Sequence, residues 1–371
     1  MTDAPDFAAL GLLDGVDGAA RTARAELLER LHAEGATLEE LAAAVREDRL
    51  ALVGAERVLG SGRRLSLREI AQQAGLDVEL VVAQRRASGL PVPDLDDPVL
   101  GDTELATTRI VARFIEAGFP VDELVHAARV FGEAGARVAA TVRTLVGNVL
   151  SQPGDTEIDL ALRLASAARE LNDPTAELLG LVYRLHLRDQ LRGDVASAEA
   201  LYEGRLYGGQ EVSVAFCDLV GFTRLGEGVD VEDLGSIANR LAALAAEAAS
   251  PPVRLVKTIG DAAMLVAPDP APLLRTSLAL MDAAEGEGEG FPQLHAGVAH
   301  GPALQRYGDW YGPTVNVAAR LTARARASSV LTTDAVRTLA GDDGFSWSEA
   351  GRKRLKGLKE PIPVWRCRPA E

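Results

Sequence analysis

The feature that most constrains this chain is a change in hydrophobic period near residue 208. Upstream, apolar residues recur every three or four positions, as in "AARTARAELLERLHAEG" and "TLEELAAAVREDRLALVGAERVLG". That spacing is the buried stripe of packed helices, and Thr37 followed by Glu40 reads as a capping box. "DTELATTRIVARFIEAG", "PVDELVHAARVFGEAGARVAATVRTLVGNVL" and "PTAELLGLVYRLHLRDQLRG" continue the pattern, interrupted at 91–98 by the proline-rich "PVPDLDDP". Downstream of "YGGQ", the segment "EVSVAFCDL" alternates its apolar residues as a strand does. A chain of 371 residues with two such periods is expected to fold as two domains.

The expected organisation is an all-α domain over 1–185, a polar, glycine-interrupted helical connector over 186–207, and an α+β domain over 208–371. In the last, the pattern predicts a helix at 231–249, strands at 253–258 and 262–267, and a helix at 272–284. Strands at 293–299 and 302–307 and a helix at 313–326 follow. Elements mixed in this order suit a sheet with helices on one face. "EGEGEG" reads as a solvated loop.

Composition narrows the function. The formal charge of −15 disfavours non-specific attraction to nucleic acid or to anionic membranes. A phosphate ligand would need local basic residues or metal ions. The N-terminal "MTDAPDFAALGLLDG" lacks a cationic segment leading into an apolar stretch, so no secretory signal is expected there. No window approaches 18 apolar residues, so no membrane span is expected. Cys217 and Cys367 are too few for a disulfide framework or a zinc site. A cytoplasmic location fits these features.

Three stretches carry candidate chemistry. In "VAFCDLVGFT", Asp218 sits where a strand ends, beside Gly221, whose turn could face backbone N–H groups to an anion. A carboxylate there suits a divalent metal carrying phosphate oxygens, or simply a turn cap. In "VRLVKTIGDAA", a hairpin would place Asp261 at its tip and Lys257 on the rising strand, although "GD" is also an ordinary turn. In "RYGDWYGPTVNVAARLTARA", Pro313 opens a helix that sets Asn316 and Arg320 one turn apart. An amide and a guanidinium on one face can grip a sugar oxygen and a phosphate, or can form a plain polar face.

Taken together and in this order, "FCDLVGFT", "VKTIGDAAM" and "GDWYGPTVNVAARL" resemble the catalytic domain of the class III nucleotidyl cyclases. The resemblance covers about residues 208–367. It implies a ferredoxin-like α+β sheet that converts ATP to cyclic AMP and pyrophosphate. It also implies two Mg²⁺ or Mn²⁺ ions on Asp218 and Asp261, adenine recognition by Lys257 and Asp309, and ribose and transition-state contacts from Asn316 and Arg320. Lys356 of "LKG" matches a triphosphate-binding lysine, and Phe222 and Thr223 of the first motif are assigned to substrate binding. Guanylyl members typically carry Glu and Cys where this chain has Lys257 and Asp309. The family works as a head-to-tail dimer, so a homodimer with shared sites is implied.

"RRLSLREIAQQAGLDVELVVAQRRASGLP" has the look of a helix-turn-helix, in which Arg63, Arg64, Arg68, Arg85 and Arg86 could meet DNA phosphates. The interleaved Asp77, Glu79 and Asp94 argue against that, so no nucleic-acid partner is expected. The whole layout is similar to actinobacterial adenylyl cyclases whose all-α N-terminal domain inhibits the catalytic one at neutral pH. This implies a proton or small-molecule signal at the N-terminal domain, passed through a two-state linker. The titrating candidates are His32, His126, His186, His295 and His300, with His186 preferred for its place at the start of the linker.

Overall fold

The computed structural model describes residues 5–60, 64–150, 154–194, 209–226, 228, 230–288, 290–357 and 360–370. The chain divides into two units, Met1–Ala196 and Ser197–Glu371.

In the first unit, α1 (Gly18–Ala33), α2 (Leu38–Arg46), a 3-10 turn (Leu50–Leu52) and α3 (Val53–Leu59) bury Leu27, Leu28, Leu31, Leu41, Leu50 and Val53 in one core. The capping box at the start of α2 is formed: the Glu40 N–H donates to Thr37 Oγ1 at 3.1 Å, and the Thr37 N–H to Glu40 Oε2 at 3.4 Å. A second core, holding Leu67, Ile70, Val81 and Leu105, joins α4 (Leu67–Ala74), α5 (Val78–Ala87) and α6 (Asp102–Glu116). Gly75 ends α4 at φ 70°, the left-handed stop that glycine allows, and gives the expected helix-turn-helix. Three of its arginines are engaged in the fold. Arg68 pairs with Asp96 at 2.7 and 3.2 Å, Arg64 with Glu40 at 2.8 Å, and Arg85 Nε donates to the Pro91 carbonyl at 2.6 Å. Arg63 lies outside the described residues.

Two long helices complete this unit, α7 (Val121–Leu150) and α8 (Glu157–Asp194). The sequence suggests a helix opening at Pro174, but α8 runs straight through that proline. Proline removes one ladder hydrogen bond; the Ala- and Leu-rich turns on either side carry the helix across. The first residues of the expected connector are the last turns of α8, and residues 195–208 lie outside the described part.

The second unit is built on β1 (Gln210–Leu219), β2 (Arg254–Ile259), β3 (Ala262–Ala267), β4 (Leu294–Arg306), β5 (Asp309–Tyr311), β6 (Ser329–Thr333), β7 (Phe345–Lys353) and β8 (Ile362–Pro369). Their order is β2-β3-β1-β4-β6-β8-β7, with β5 pairing β4. The run β2-β3-β1-β4 is antiparallel throughout and has ferredoxin-like order, while β4 and β6 pair in parallel. The helices are α9 (Phe222–Leu225), α10 (Val231–Ala248), α11 (Pro270–Gly286), α12 (Pro313–Thr322) and α13 (Asp334–Ala340).

Two expectations are corrected. The strands expected at 293–299 and 302–307 are one strand, β4, because β1 pairs with it from Leu219↔Leu294 to Gln210↔Ala303 and leaves no gap for a turn. The helices also occupy both faces. Ala215, Cys217, Leu265 and Val298 pack with residues of α10, α11 and α13 on one side. Val214, Met264, Val266 and Ala299 pack with Ala318 of α12 on the other. Alternation along each strand makes both faces apolar, so each needs a cover.

Candidate active site

β1 places Asp218 one residue from its end, on the face covered by α12, since Val214 and Phe216 share its parity and pack there. Across the ladder, Asp218 stands opposite Ala262 on one side and His295 on the other. Ile259 pairs with Ala262, so Gly260 and Asp261 form a two-residue turn, and Gly260 takes φ 58°, which glycine adopts without strain. The Leu219 N–H donates to the Asp261 carbonyl at 3.0 Å and fastens this turn to the end of β1. The two aspartates therefore sit at one end of adjacent strands.

Lys257, on β2, forms an ion pair with Asp309 at the start of β5. The second oxygen of Asp309 accepts from the Trp310 N–H at 2.8 Å, which orients the carboxylate. Lys257 and Asp261 thus belong to one hairpin, four residues apart, and the lysine finds its partner on a different strand.

The third group lies on α12. Pro313 occupies its first turn, as its spacing suggests. A Cβ on Gly297 of β4 would fall 2.3 Å from the Thr322 nitrogen and 2.5 Å from the Ala318 carbonyl oxygen, so helix backbone lies directly on strand backbone there. Thr322 Oγ1 donates to the Phe216 carbonyl at 3.2 Å. Asn316 is exposed and Arg320 is half-buried. Leu355, buried beside Leu321, seats the turn that carries Lys356 and Gly357. The Arg320 guanidinium lies against Gly357, its nitrogens 3.3 and 3.4 Å from where a Cβ would be. Among the described residues, neither Asn316 nor Arg320 forms a hydrogen bond or ion pair with Asp218 or Asp261.

Comparison with known proteins places the chain in a family. Residues 5–191 match the adenylate cyclase regulatory domain, and residues 206–366 match the adenylate and guanylate cyclase catalytic domain. The chain is 40% identical over 365 residues to a pH-sensitive adenylate cyclase of Mycobacterium tuberculosis, covering 96% of this chain and 91% of that one.

The chain belongs to the class III adenylyl cyclases.

An adenylate cyclase of Streptomyces coelicolor is 31% identical over 294 residues, covering 77% of this cyclase and 74% of its own length. Among solved structures, the adenylate/guanylate cyclase/hydrolase of Silicibacter pomeroyi is similar over 44% of this chain and 99% of its own, at 26% identity and a TM-score of 0.39.

In this cyclase the electrostatics of the aspartate pair are distinctive. Burial, and then the neighbouring charge of Asp218, push the Asp261 carboxyl above its ordinary value. His295 donates from Nδ1 to the Ala325 carbonyl at 3.0 Å, and its Nε2 faces Asp218 Oδ2 at 3.3 Å. The hydrogen bond to Asp218 raises the His295 pKa. Sequence places His295 on a strand near the site; the register with β1 is what puts it on Asp218.

No group of three or more His, Cys, Asp or Glu side chains is arranged to hold a metal among the described residues. Two carboxylates whose charges disfavour each other nevertheless suit divalent cations that take their remaining ligands from water and substrate phosphates. The half-buried Phe222 side chain packs against the main core. The Thr223 side chain lies outside the described part. Lys356 is exposed on its turn. No described helix is long and apolar enough to cross a membrane.

Proposed function

We propose that this cyclase turns the ribose 3′-OH of ATP onto its own α-phosphorus, forming the 3′ O–P bond and breaking the bond to the leaving pyrophosphate. The observation that carries the residue assignments is the Lys257–Asp309 ion pair on the hairpin that also holds Asp261. It supplies one donor and one acceptor side by side, close in sequence to the phosphate chemistry. Lys257 donates to adenine N1 and Asp309 accepts from the N6 amine. Guanine presents an N1–H and a carbonyl at those edges, so GTP would leave polar groups unpaired.

Asp218 and Asp261 hold two divalent cations, Mg²⁺ or Mn²⁺. Bound there, the ions supply activation of the 3′-hydroxyl and neutralise charge on the triphosphate. Arg320 stabilises charge building on the α-phosphoryl group, Asn316 orients the ribose, and Lys356 binds the triphosphate, with Phe222 and Thr223 at the substrate. Much of the rate enhancement comes from holding a reactive conformer, because nucleophile and electrophile share one molecule. The aspartates act from one subunit of a homodimer and the α12 pair from the other, giving equivalent sites by two-fold symmetry.

The N-terminal unit, which matches a cyclase regulatory domain, regulates this activity in response to pH; the Mycobacterium tuberculosis relative is a pH-sensitive adenylate cyclase. The enzyme acts in the cytoplasm and needs no nucleic acid.

The test uses purified protein with ATP or GTP and either metal. Cyclic AMP should dominate over cyclic GMP. Asp261→Ala and Arg320→Ala should each be inactive, and their mixture should recover about a quarter of wild-type activity. Half of the random dimers are mixed, and each mixed dimer has one intact site of its two. Full activity in either single variant, or no recovery on mixing dimers shown to exchange subunits, would overturn the shared-site reading.

A further inference from the structure

We infer that Gly357 is a positioning residue of the cyclase reaction, its missing side chain allowing the Arg320 guanidinium to lie against the turn at 354–357. This inference rests on the proposed role of Arg320 in stabilising the transition state.

The turn is held from two sides. Leu355 is 2% exposed and packs with Leu321, Leu331 and Val364, directly behind the residue that follows Arg320 in α12. Arg324, one helical turn on, reaches the Arg354 carbonyl at 3.5 Å. With the turn fixed to the helix at these points, the bare backbone at Gly357 is the surface that the guanidinium meets. A Cβ there would stand 3.3 Å from Arg320 Nη1, 3.4 Å from Nη2 and 3.7 Å from Cζ. Among the described residues those are the three nearest atoms outside the adjoining chain, so a methyl group would meet the guanidinium first.

The chemistry makes such a displacement matter. The atoms that must give way are the far end of a flexible side chain, which the fold tolerates easily. A charge aimed at a developing phosphoryl oxygen is less tolerant, because a misplacement of about 1 Å can cost about 100-fold in rate. A shift of a few tenths of an ångström therefore predicts a loss of about tenfold. The loss should fall on kcat and on kcat/KM together, the pattern of an interaction made only in the transition state.

Backbone conformation must be separated from contact, because Gly357 has φ 84° and any side chain there is strained. Gly351 supplies the control: its φ is 79°, and a Cβ there would meet nothing within 4 Å. The experiment measures kcat, KM for ATP and Tm for full-length wild type, Gly357→Ala, Gly351→Ala and Arg320→Ala. Gly357→Ala should lose about tenfold in kcat with KM within about twofold, and its Tm should fall with that of Gly351→Ala, which keeps wild-type kcat. Equal kcat in the two glycine variants would overturn the inference while leaving the role of Arg320 intact. Full activity in Arg320→Ala would instead remove the reading on which it rests. Should Gly357→Ala fail to fold, Gly357→Asn accepts a left-handed backbone more readily and is read by the same criteria.

Discussion

Asp261 shows how one residue can serve function at the expense of stability. Burial and the charge of Asp218 raise its pKa in the metal-free fold. A raised carboxyl stabilises the fold when protonated, at pH below the ordinary carboxylate range, and that contribution is lost as pH rises through the folded-state value. At neutral pH the ionised group is a net cost unless cations are bound. Wild type should gain Tm with added Mn²⁺; Asp261→Asn should raise the Tm of the protein without metal at pH 7, remove that gain, and abolish turnover. Calorimetry with and without Mn²⁺ measures this, and an unchanged Mn²⁺ shift in the variant would contradict the metal assignment. His295 has the same sign through another cause. Its hydrogen bond to Asp218 favours the charged ring, so it adds stability below the usual histidine value of 6.5 that is lost as pH rises through a higher folded-state value.

Among the elements, α12 shows best how packing sets chemistry. Asn316 and Arg320 share a helix face by spacing alone, but the placement of that face depends on Gly297, where the helix backbone meets β4. The partners there are backbone atoms at 2.3 and 2.5 Å, which cannot swing aside as a side chain can. Gly297→Ala should thus destabilise the catalytic unit by about 1–3 kcal/mol, the usual range for overpacking. It should also lower kcat by displacing Arg320. Urea unfolding and steady-state kinetics would test both effects, and a stable variant with wild-type kcat would show that α12 does not need this close approach.

The whole molecule joins two separately packed units, each with its own buried cores. If the N-terminal unit restrains the catalytic one, acidification should raise the activity of the full-length protein, while residues 200–371 alone should show a higher and flatter pH profile. Matching profiles for the two would discard regulation by the N-terminal unit. The exposed apolar residues along α8, Leu178, Tyr183, Leu185 and Leu191 among them, are a feature that the amphipathic pattern alone does not explain.

How much of this was legible from the residues follows from the range of the forces involved. The change of period at 208, the capping box at Thr37, the Gly260 turn and the first-turn Pro313 are local, because each depends on dihedral preferences and hydrogen bonds within a few residues. The motif order was equally legible, and it pointed to the family and to Asp218, Lys257, Asp261, Asp309, Asn316, Arg320 and Lys356. Long-range pairing was not. Strand β4 could be read as two pieces until β1 paired along its length, and a one-faced sheet was plausible until α12 was seen covering the second face. His295 meets Asp218 only through register, and Gly357 meets Arg320 only because Leu355 seats a distant turn beside α12. By itself, then, the sequence determined the two-part organisation and the family, and it nominated the chemical groups. Tertiary structure alone decided which groups touch, because contacts between residues 37 and 77 positions apart depend on sheet register and core packing that no local pattern encodes.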